Sequence, residues 1–342
     1  MDLSKQQHVR LEPRDEFTHP IEAAKNFNES MYINLFDPER KAGGWFRVGN
    51  RPNEGHAEVS CCVYFPDGRV GFMFQRPKIS GNDAIAAGGM RFDIVEPFKK
   101  LRLTYEGKLC ILKNPADMAD PKAAFANNPI VPCSLAIDYE GVSPVYGGEA
   151  VDENGNPVEE HPDESFARAH YEQHMAGKGE IRVGDEVLQL NGFGLRDHSW
   201  GPRYWQNLYW YRWIPMNFGR DFAMNISVVQ MASGRQHIWG MVLKNGRYHF
   251  IEKATLDTTY DADHSSESLR AYVKTDEGEY HVEGKVLSLI PLRNRRQKDN
   301  GEWMNTRITE GFAEFHCNDQ TGYGMAEYLD QIVDGIPVGN RA

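Results

Sequence analysis

The residues of this chain that are best suited to chemistry are concentrated between Gly192 and Trp213. This stretch of 22 residues contains one Asp, one His, three Arg and four Trp, in a region whose other residues are typical of β-strands. Buried ionisable groups need hydrogen-bonding or charged partners, and in a cavity they often have shifted pKa values and take part in proton transfer. The segment therefore predicts an acid–base site.

Strand geometry limits which of these side chains can act together. Successive side chains of a strand point to opposite faces, so Asp197 and His198 face opposite ways. They line one cavity only where a β-bulge intervenes, and Gly201-Pro202 favours such an irregularity. The alternative to a catalytic Asp197 is a buried salt bridge with Arg196 or Arg203 that holds the strand to its neighbour.

The sequence predicts no metal site and no cofactor. His170 and His174, in the sequence HYEQH, have the spacing of zinc-protease histidines, but Tyr171 takes the place of the catalytic glutamate and the context is β-rich. Gly192-x-Gly194 lacks the third glycine of a dinucleotide-binding fingerprint, and the chain has no GxxxxGK[ST] or GxSxG motif. Nucleotide-dependent and esterase functions are therefore disfavoured.

The elements that must position these residues are predominantly strands. Asp67-Gly68 and Asn245-Gly246 predict tight hairpin turns, and Glu106-Gly107 predicts a turn between two further strands. Pro121–Asn127 and Ile21–Ser30 are the candidate helices. Many short strands, Gly-containing turns and few short helices indicate an all-β fold of the barrel or sandwich type.

The length of 342 residues fits two domains. Residues 1–40 are predicted to form an N-terminal lead-in, residues 41–165 the first β-domain and residues 166–342 the second. The stretch 147–165 is acidic and rich in turn-forming residues, which favours a solvated loop or lid at the junction.

Composition limits the partners and the location. The formal net charge of −11 disfavours nucleic acid and anionic membrane surfaces. The chain has neither a signal-peptide pattern at its start nor an apolar run long enough to span a membrane, so a cytoplasmic protein is predicted. The 5 cysteines form no CxxC pair, which favours reduced thiols in a core. This composition is compatible with a monomer and with a homo-oligomer.

The segment Leu195–Trp205 resembles the signature of the carotenoid 1,2-hydratase, AttH-like and tocopherol-cyclase-like proteins. The stretches His170–Gln173, Arg91–Pro97 and Gly322–Tyr328 fit the same group, and the resemblance extends over Trp45–Leu329. It implies two lipocalin-like barrels with a ligand pocket inside or between them. Its members hydrate isoprenoid double bonds, cyclise prenylated rings or guide pericyclic cyclisations, without metal or organic cofactor.

The resemblance gives Asp197 the role of the acid that protonates an alkene, which requires an apolar pocket that keeps the carboxyl neutral. His198 then passes a proton or is a hydrogen-bonded core histidine. Arg203 orients Asp197 or holds a substrate oxygen, although an arginine close to Asp197 would lower the pKa of the acid. The substrate-binding candidates are aromatic residues that can stabilise a cation and two polar residues: Trp200, Trp205, Tyr209, Trp210, Tyr211, His170 and Glu172.

Together these observations predict a cofactor-independent lyase or isomerase. It would hydrate, dehydrate, isomerise or cyclise a hydrophobic, terpenoid-like small molecule by acid–base chemistry in an apolar cavity. The alternative is a lipocalin-like carrier that binds a hydrophobic ligand without turnover. The two differ at Asp197, because an acid must contact the pocket whereas a carrier needs only apolar lining and a polar anchor.

Overall fold

The computed structural model describes residues 8–158, 166–297 and 301–340. The described chain divides into two compact units. The first contains residues 8–113 and 127–204, and the second contains residues 114–126 and 205–340. One α-helix, α1, is present in the described ranges; it comprises the seven residues Pro121–Asn127, far fewer than the roughly 20 that a membrane-spanning helix needs.

The first unit is an antiparallel β-barrel with extra strands at its edges. Pairing runs through β11, β12, β2, β3, β4, β5 and β8, and β9 pairs with both β8 and β11, which closes a ring of eight strands. The strands are β1 (His8–Arg10), β2 (Phe27–Asp37), β3 (Ala42–Arg51), β4 (His56–Tyr64), β5 (Val70–Gln75), β6 (Ala86–Ala87), β7 (Met90–Glu96), β8 (Lys100–Leu112), β9 (Ile130–Gly141), β10 (Tyr146–Val151), β11 (Ala169–Val183) and β12 (Glu186–Pro202).

Alternation along the strands fills the barrel with apolar side chains. Apolar residues at alternate positions of β2, β3 and β4 belong to one buried cluster, for example Met31, Phe46 and Cys61. All five cysteines are free and buried, as the sequence predicts. The Gly192-x-Gly194 pattern has a packing role, because a Cβ atom at Gly194 would lie 1.9 Å from a carbonyl oxygen of β2.

The second unit is a coiled antiparallel sheet around its own core. Its order is β16-β15-β14-β13-β21-β20-β19-β18-β17, and β22 pairs with β21. The strands are β13 (Leu208–Asn217), β14 (Phe222–Met231), β15 (Gln236–Lys244), β16 (Arg247–Phe250), β17 (Lys253–Tyr260), β18 (Ser266–Lys274), β19 (Glu279–Gln297), β20 (Trp303–Cys317), β21 (Gln320–Val333) and β22 (Ile336–Pro337). A buried ion pair, Arg212–Asp330, lies on the core side of this sheet.

The all-β class and the two lipocalin-like units are confirmed, and three local expectations change. Ile21–Ser30 is not a helix, since β2 begins at Phe27. Residues 169–202 lie in the first unit rather than in a domain that starts at residue 166, because β11 and β12 complete the first barrel. Of the acidic stretch, residues 146–151 form β10 against β11, and residues 159–165 lie outside the described residues.

Candidate functional site

The candidate site is built on the pairing of β11 with β12. The antiparallel register is continuous from Ala169 opposite Trp200 to Val183 opposite Glu186, so no bulge separates Asp197 from His198. His198 shares its face of β12 with Leu190 of the apolar core and therefore points inward. Asp197 points outward, and the two predicted catalytic residues do not share a site.

The outer face carries a cluster of three titratable residues, His170, Glu172 and Asp197, called here the outer cluster. His170 Nε2 lies 2.5 Å from Asp197 Oδ2 and 3.8 Å from Glu172 Oε1. The His170 side chain retains 35% and Asp197 24% of its accessible surface, whereas Glu172 retains 2%. His170 Nδ1 makes no hydrogen bond with the described part of the chain. The imidazole is therefore half-buried, with Nδ1 not hydrogen-bonded to the described residues.

The electrostatics of the outer cluster favour an ion pair. Burial raises the pKa of Asp197, but the charge and hydrogen bond of His170 and the charge of Arg203 outweigh it, so the pKa is lowered. Burial lowers the pKa of His170, but Asp197 and Glu172 outweigh it and the pKa is raised. This is the reverse of what a carboxylic acid donor needs. Within this pair a proton is bound more readily by His170 than by Asp197.

The surroundings of the outer cluster combine small and aromatic residues. In the row of cross-strand neighbours that contains His170, the positions beside it are Gly148 and Ser199, and Ser30 follows on β2. In the adjacent row, Tyr146 lies opposite Glu172, and Tyr32 lies opposite Asp197. Ser30, Ser199 and Tyr32 are themselves buried, so the cluster is bordered by small side chains and a tyrosine that are covered.

Arg203 lies close to the outer cluster, and Asp197 forms its ion pair with His170 rather than with this arginine. Its guanidinium donates a hydrogen bond to the hydroxyl of Ser199 and lies over the Phe166 ring, 4.3 Å from the centroid. The backbone of Arg203 is fixed by Asn26, which accepts from the amide and donates to the carbonyl. The charge of Arg203 acts on Asp197 through space.

The inner face of the same strands carries a buried polar network. The side chains of His198 and Glu29 are 0% exposed, and His198 Nε2 lies 2.9 Å from Glu29 Oε1. His19, which stacks on Trp200 at 4.1 Å between centroids, places Nδ1 2.8 Å from the same oxygen. Burial raises the pKa of Glu29, but the two histidines outweigh it and lower the pKa to about 2. These groups are His19, Glu29 and His198, called here the inner cluster.

A second buried ion pair adjoins the inner cluster. Arg196 binds Glu16 through two nitrogens, and both side chains are 1% exposed. Glu16 also accepts hydrogen bonds from the hydroxyl of Tyr171 and the amide of Phe98. Arg196 is therefore the ion-pair partner of Glu16. Neither Arg196 nor Arg203 forms the salt bridge with Asp197 that the sequence analysis gave as an alternative.

The predicted aromatic residues fall into different places. Trp200 is buried on the inner face against His19. Trp205, Tyr209, Trp210 and Tyr211 belong to the second unit. There Trp210 packs against the core, and Tyr211 donates a hydrogen bond to Glu327. Within the first unit the structure brings Asp197, His170 and Glu172 together with Arg203 nearby, and it places His198 and Trp200 on the opposite face of β12.

Two groups within the described residues have the composition of a metal site. They are the inner cluster and the outer cluster, and in each group the candidate ligand atoms lie within 4.8 Å of one another. The sequence did not single out Glu16, His19, Glu29, Tyr32 or Tyr146. Nothing in their local pattern marks them, since each meets β11 or β12 only through long-range pairing.

Comparison with solved structures finds the same fold. A protein described as AttH from Nitrosomonas europaea matches with a TM-score of 0.57 at 13% identity, over 91% of this chain and 96% of the other. CghA with Sch210972 gives 0.55 at 7%, over 90% and 89%. Kievitone hydratase from Nectria haematococca gives 0.54 at 9%, over 89% and 88%. These likenesses confirm the double lipocalin-like fold.

The family is defined by a sequence model that matches residues 12–332. The chain belongs to this family, described as domain of unknown function DUF7064. A search of curated proteins gave no match.

Proposed function

We propose that this protein is an acid–base enzyme of the hydratase or isomerase kind that acts on a hydrophobic small molecule. The observation that carries the proposal is the outer cluster, where Asp197 holds His170 Nε2 while the imidazole stays accessible. An oriented histidine whose partner is a carboxylate is a common general acid–base device. The name of one protein with this fold includes hydratase, and another was crystallised with the small molecule Sch210972.

His170 is the proton-transfer group in this proposal, and Asp197 is its partner. As an imidazolium, His170 donates the Nδ1 proton to a leaving hydroxyl or to an activated alkene carbon. As a neutral base, it removes a proton from the attacking water or from a carbon next to a carbonyl group. Asp197 holds the ring orientation and stabilises its charged form. Arg203 keeps Asp197 ionised.

The chemistry narrows the substrate class. An imidazolium is too weak an acid to protonate an isolated alkene efficiently, whereas it suits a hydroxyl group or an alkene conjugated to a carbonyl. Tyr32 and Tyr146 lie beside the cluster, and their rings are suited to contact a hydrophobic substrate skeleton. We therefore propose an oxygenated hydrophobic substrate, with terpenoids and prenylated phenols as the first classes to test.

The test is a turnover screen with isotopic solvent. Protein is incubated with oxygenated terpenoid and phenolic alkenes and with the matching alcohols. Each reaction is run in water labelled with oxygen-18 and, separately, in deuterium oxide, and the products are analysed by mass spectrometry. Solvent oxygen or deuterium at carbon is expected in the product, with turnover reduced roughly 100-fold or more in His170→Gln. His56→Gln, which changes a histidine at the start of β4, is the matched control. Tight binding of these compounds with no isotope incorporation would instead identify a carrier.

A further inference from the structure

The inner cluster joins three distant parts of the chain. His19 follows the short helical turn Pro13–Glu16, Glu29 lies on β2 and His198 lies on β12. His19 Nδ1 and His198 Nε2 lie 2.8 Å and 2.9 Å from one oxygen, Glu29 Oε1. Two imidazole nitrogens and one carboxylate oxygen converge on a single point inside the barrel.

The donors and acceptors around His198 leave the contact between its Nε2 and Glu29 without a donated proton. The hydroxyl of Tyr171 donates its one proton to Glu16, 2.8 Å away, so towards His198 Nδ1 it can only accept. Nδ1 must therefore carry the proton of a neutral His198. The lone pair of Nε2 then faces the carboxylate oxygen of Glu29. Two lone pairs 2.9 Å apart repel each other unless a proton or a metal ion lies between them.

The same matching of donors and acceptors applies to His19. Its Nε2 faces Asp15 at 3.4 Å and its Nδ1 faces Glu29, so both ring nitrogens meet carboxylates. Without a metal ion, a proton must lie between Glu29 Oε1 and each ring nitrogen that faces it. One divalent cation in place of the two shared protons leaves the total charge unchanged and leaves both rings neutral.

The surroundings resemble those of protein metal ligands. Metal-binding histidines commonly donate their other N–H group to a carboxylate, carbonyl or similar acceptor, which fixes the ring orientation. Here His19 Nε2 faces Asp15, and His198 Nδ1 faces Tyr171. The second oxygen of Glu29 accepts from the side chain of Asn82 at 2.7 Å and from the amide of His19 at 2.7 Å.

We propose that His19 Nδ1, His198 Nε2 and Glu29 Oε1 bind one divalent transition-metal ion, for which zinc is the best match. Two imidazoles and one carboxylate are typical zinc ligands, and bond lengths of about 2.0–2.2 Å set neighbouring ligand atoms about 3.3 Å apart. The ligand atoms reach this spacing by separating about 0.5 Å. The ion fastens the segment Pro13–His19 to β2 and β12, directly behind the outer cluster.

The experiment uses the full-length protein after removal of metal by a chelator and dialysis. Zinc chloride or cobalt chloride is added, and bound metal is counted by mass spectrometry. One ion per chain is expected, with the visible absorption bands of low-symmetry cobalt(II). Zinc binding is also expected to release protons, measured by calorimetry in buffers of different ionisation enthalpy, and to raise the melting temperature.

Variants assign the ligands. His19→Gln changes the ligand whose side chain is 18% exposed and is expected to fold but to lose the cobalt spectrum. Asp197→Asn changes the outer cluster and is expected to retain one ion per chain. Folded wild-type protein that takes up no zinc would overturn the proposal. Loss of the ion in Asp197→Asn with retention in His19→Gln would also overturn it, by assigning the metal to the outer cluster.

Discussion

Asp197→Asn tests the central idea about the outer cluster. Asparagine keeps the shape of the side chain and removes the negative charge 2.5 Å from His170 Nε2. Burial alone lowers the pKa of His170, and Asp197 is the larger of the two carboxylate influences that raise it. The variant is therefore expected to lower the pKa of His170, so that less imidazolium is present near neutral pH. Turnover should fall roughly 100-fold or more if this imidazole transfers the proton.

The cost in stability should be small, because both side chains remain accessible. A hydrogen bond between charged groups contributes about 1.5–3 kcal/mol when it is buried. His170 keeps 35% and Asp197 keeps 24% of the side-chain surface, so solvent screening reduces the figure to about 1 kcal/mol. For a unit of this size that corresponds to a decrease of about 2–4 °C in melting temperature.

Three measurements on one preparation distinguish an electrostatic role of Asp197 at His170 from a purely structural role. The pKa of His170 is followed by NMR titration of the labelled imidazoles, with His170→Gln used to assign its signal. The melting temperature and the turnover are measured in parallel. An unchanged His170 pKa in Asp197→Asn would refute the electrostatic reasoning. A stability loss of several kcal/mol would instead make Asp197 a structural anion.

Three further predictions follow from the same contacts. Glu16→Gln removes the carboxylate that is bound by the buried Arg196, so the free energy of unfolding by denaturant should fall by about 3–5 kcal/mol. The ion pair between Asp197 and His170 stabilises the fold most between about pH 4 and pH 6.5, because the pKa of Asp197 is lowered and the pKa of His170 is raised. The difference in melting temperature between wild type and Asp197→Asn should therefore become smaller below and above this pH range. Gly240→Ala places Cβ 2.0 Å from the carbonyl oxygen of Asn225 at φ +147°, so it should destabilise the protein far more than Gly246→Ala, whose Cβ meets nothing within 4 Å; equal melting temperatures would contradict this.

Features that depend on neighbours in the sequence could be predicted. Asp67-Gly68 and Asn245-Gly246 form the expected hairpin turns, with φ of +88° at Gly68 and +77° at Gly246. The helix begins and ends at the expected residues, Pro121 and Asn127. In each case the backbone preference of one or two residues decides the structure, and no distant segment is needed.

Features that depend on strand pairing could not be predicted. Glu106-Gly107 was expected to form a turn, but β8 continues through it because β9 pairs along its length. Residues 169–202 belong to the first barrel because β12 pairs with β2, 157 to 175 positions away. Turn chemistry gives no information about such partners, so the sequence placed the boundary between units too early.

The site shows the same division. Alternation along β12 correctly set Asp197 and His198 on opposite faces, which needs only the geometry of one strand. The roles of the two residues depend on partners that the local sequence does not reveal, namely His170 on β11 and Glu29 on β2. The sequence indicated that Arg203 close to Asp197 would prevent Asp197 from acting as a neutral acid. The lowered pKa of Asp197 favours the carboxylate form.

The two faces of β12 depend on each other through the register of the strand. A shift of one residue would turn Asp197 into the barrel and Arg196 out of it. Arg196 is 1% exposed and bound to Glu16, and His198 is 0% exposed and bound to Glu29, so such a shift would take one charge-bearing partner from each of two buried acids. Because unpaired buried charges cost several kcal/mol each, the inner face excludes the shifted register. The inner network thereby keeps Asp197 directed outward at His170, which is what proton transfer at the outer cluster requires.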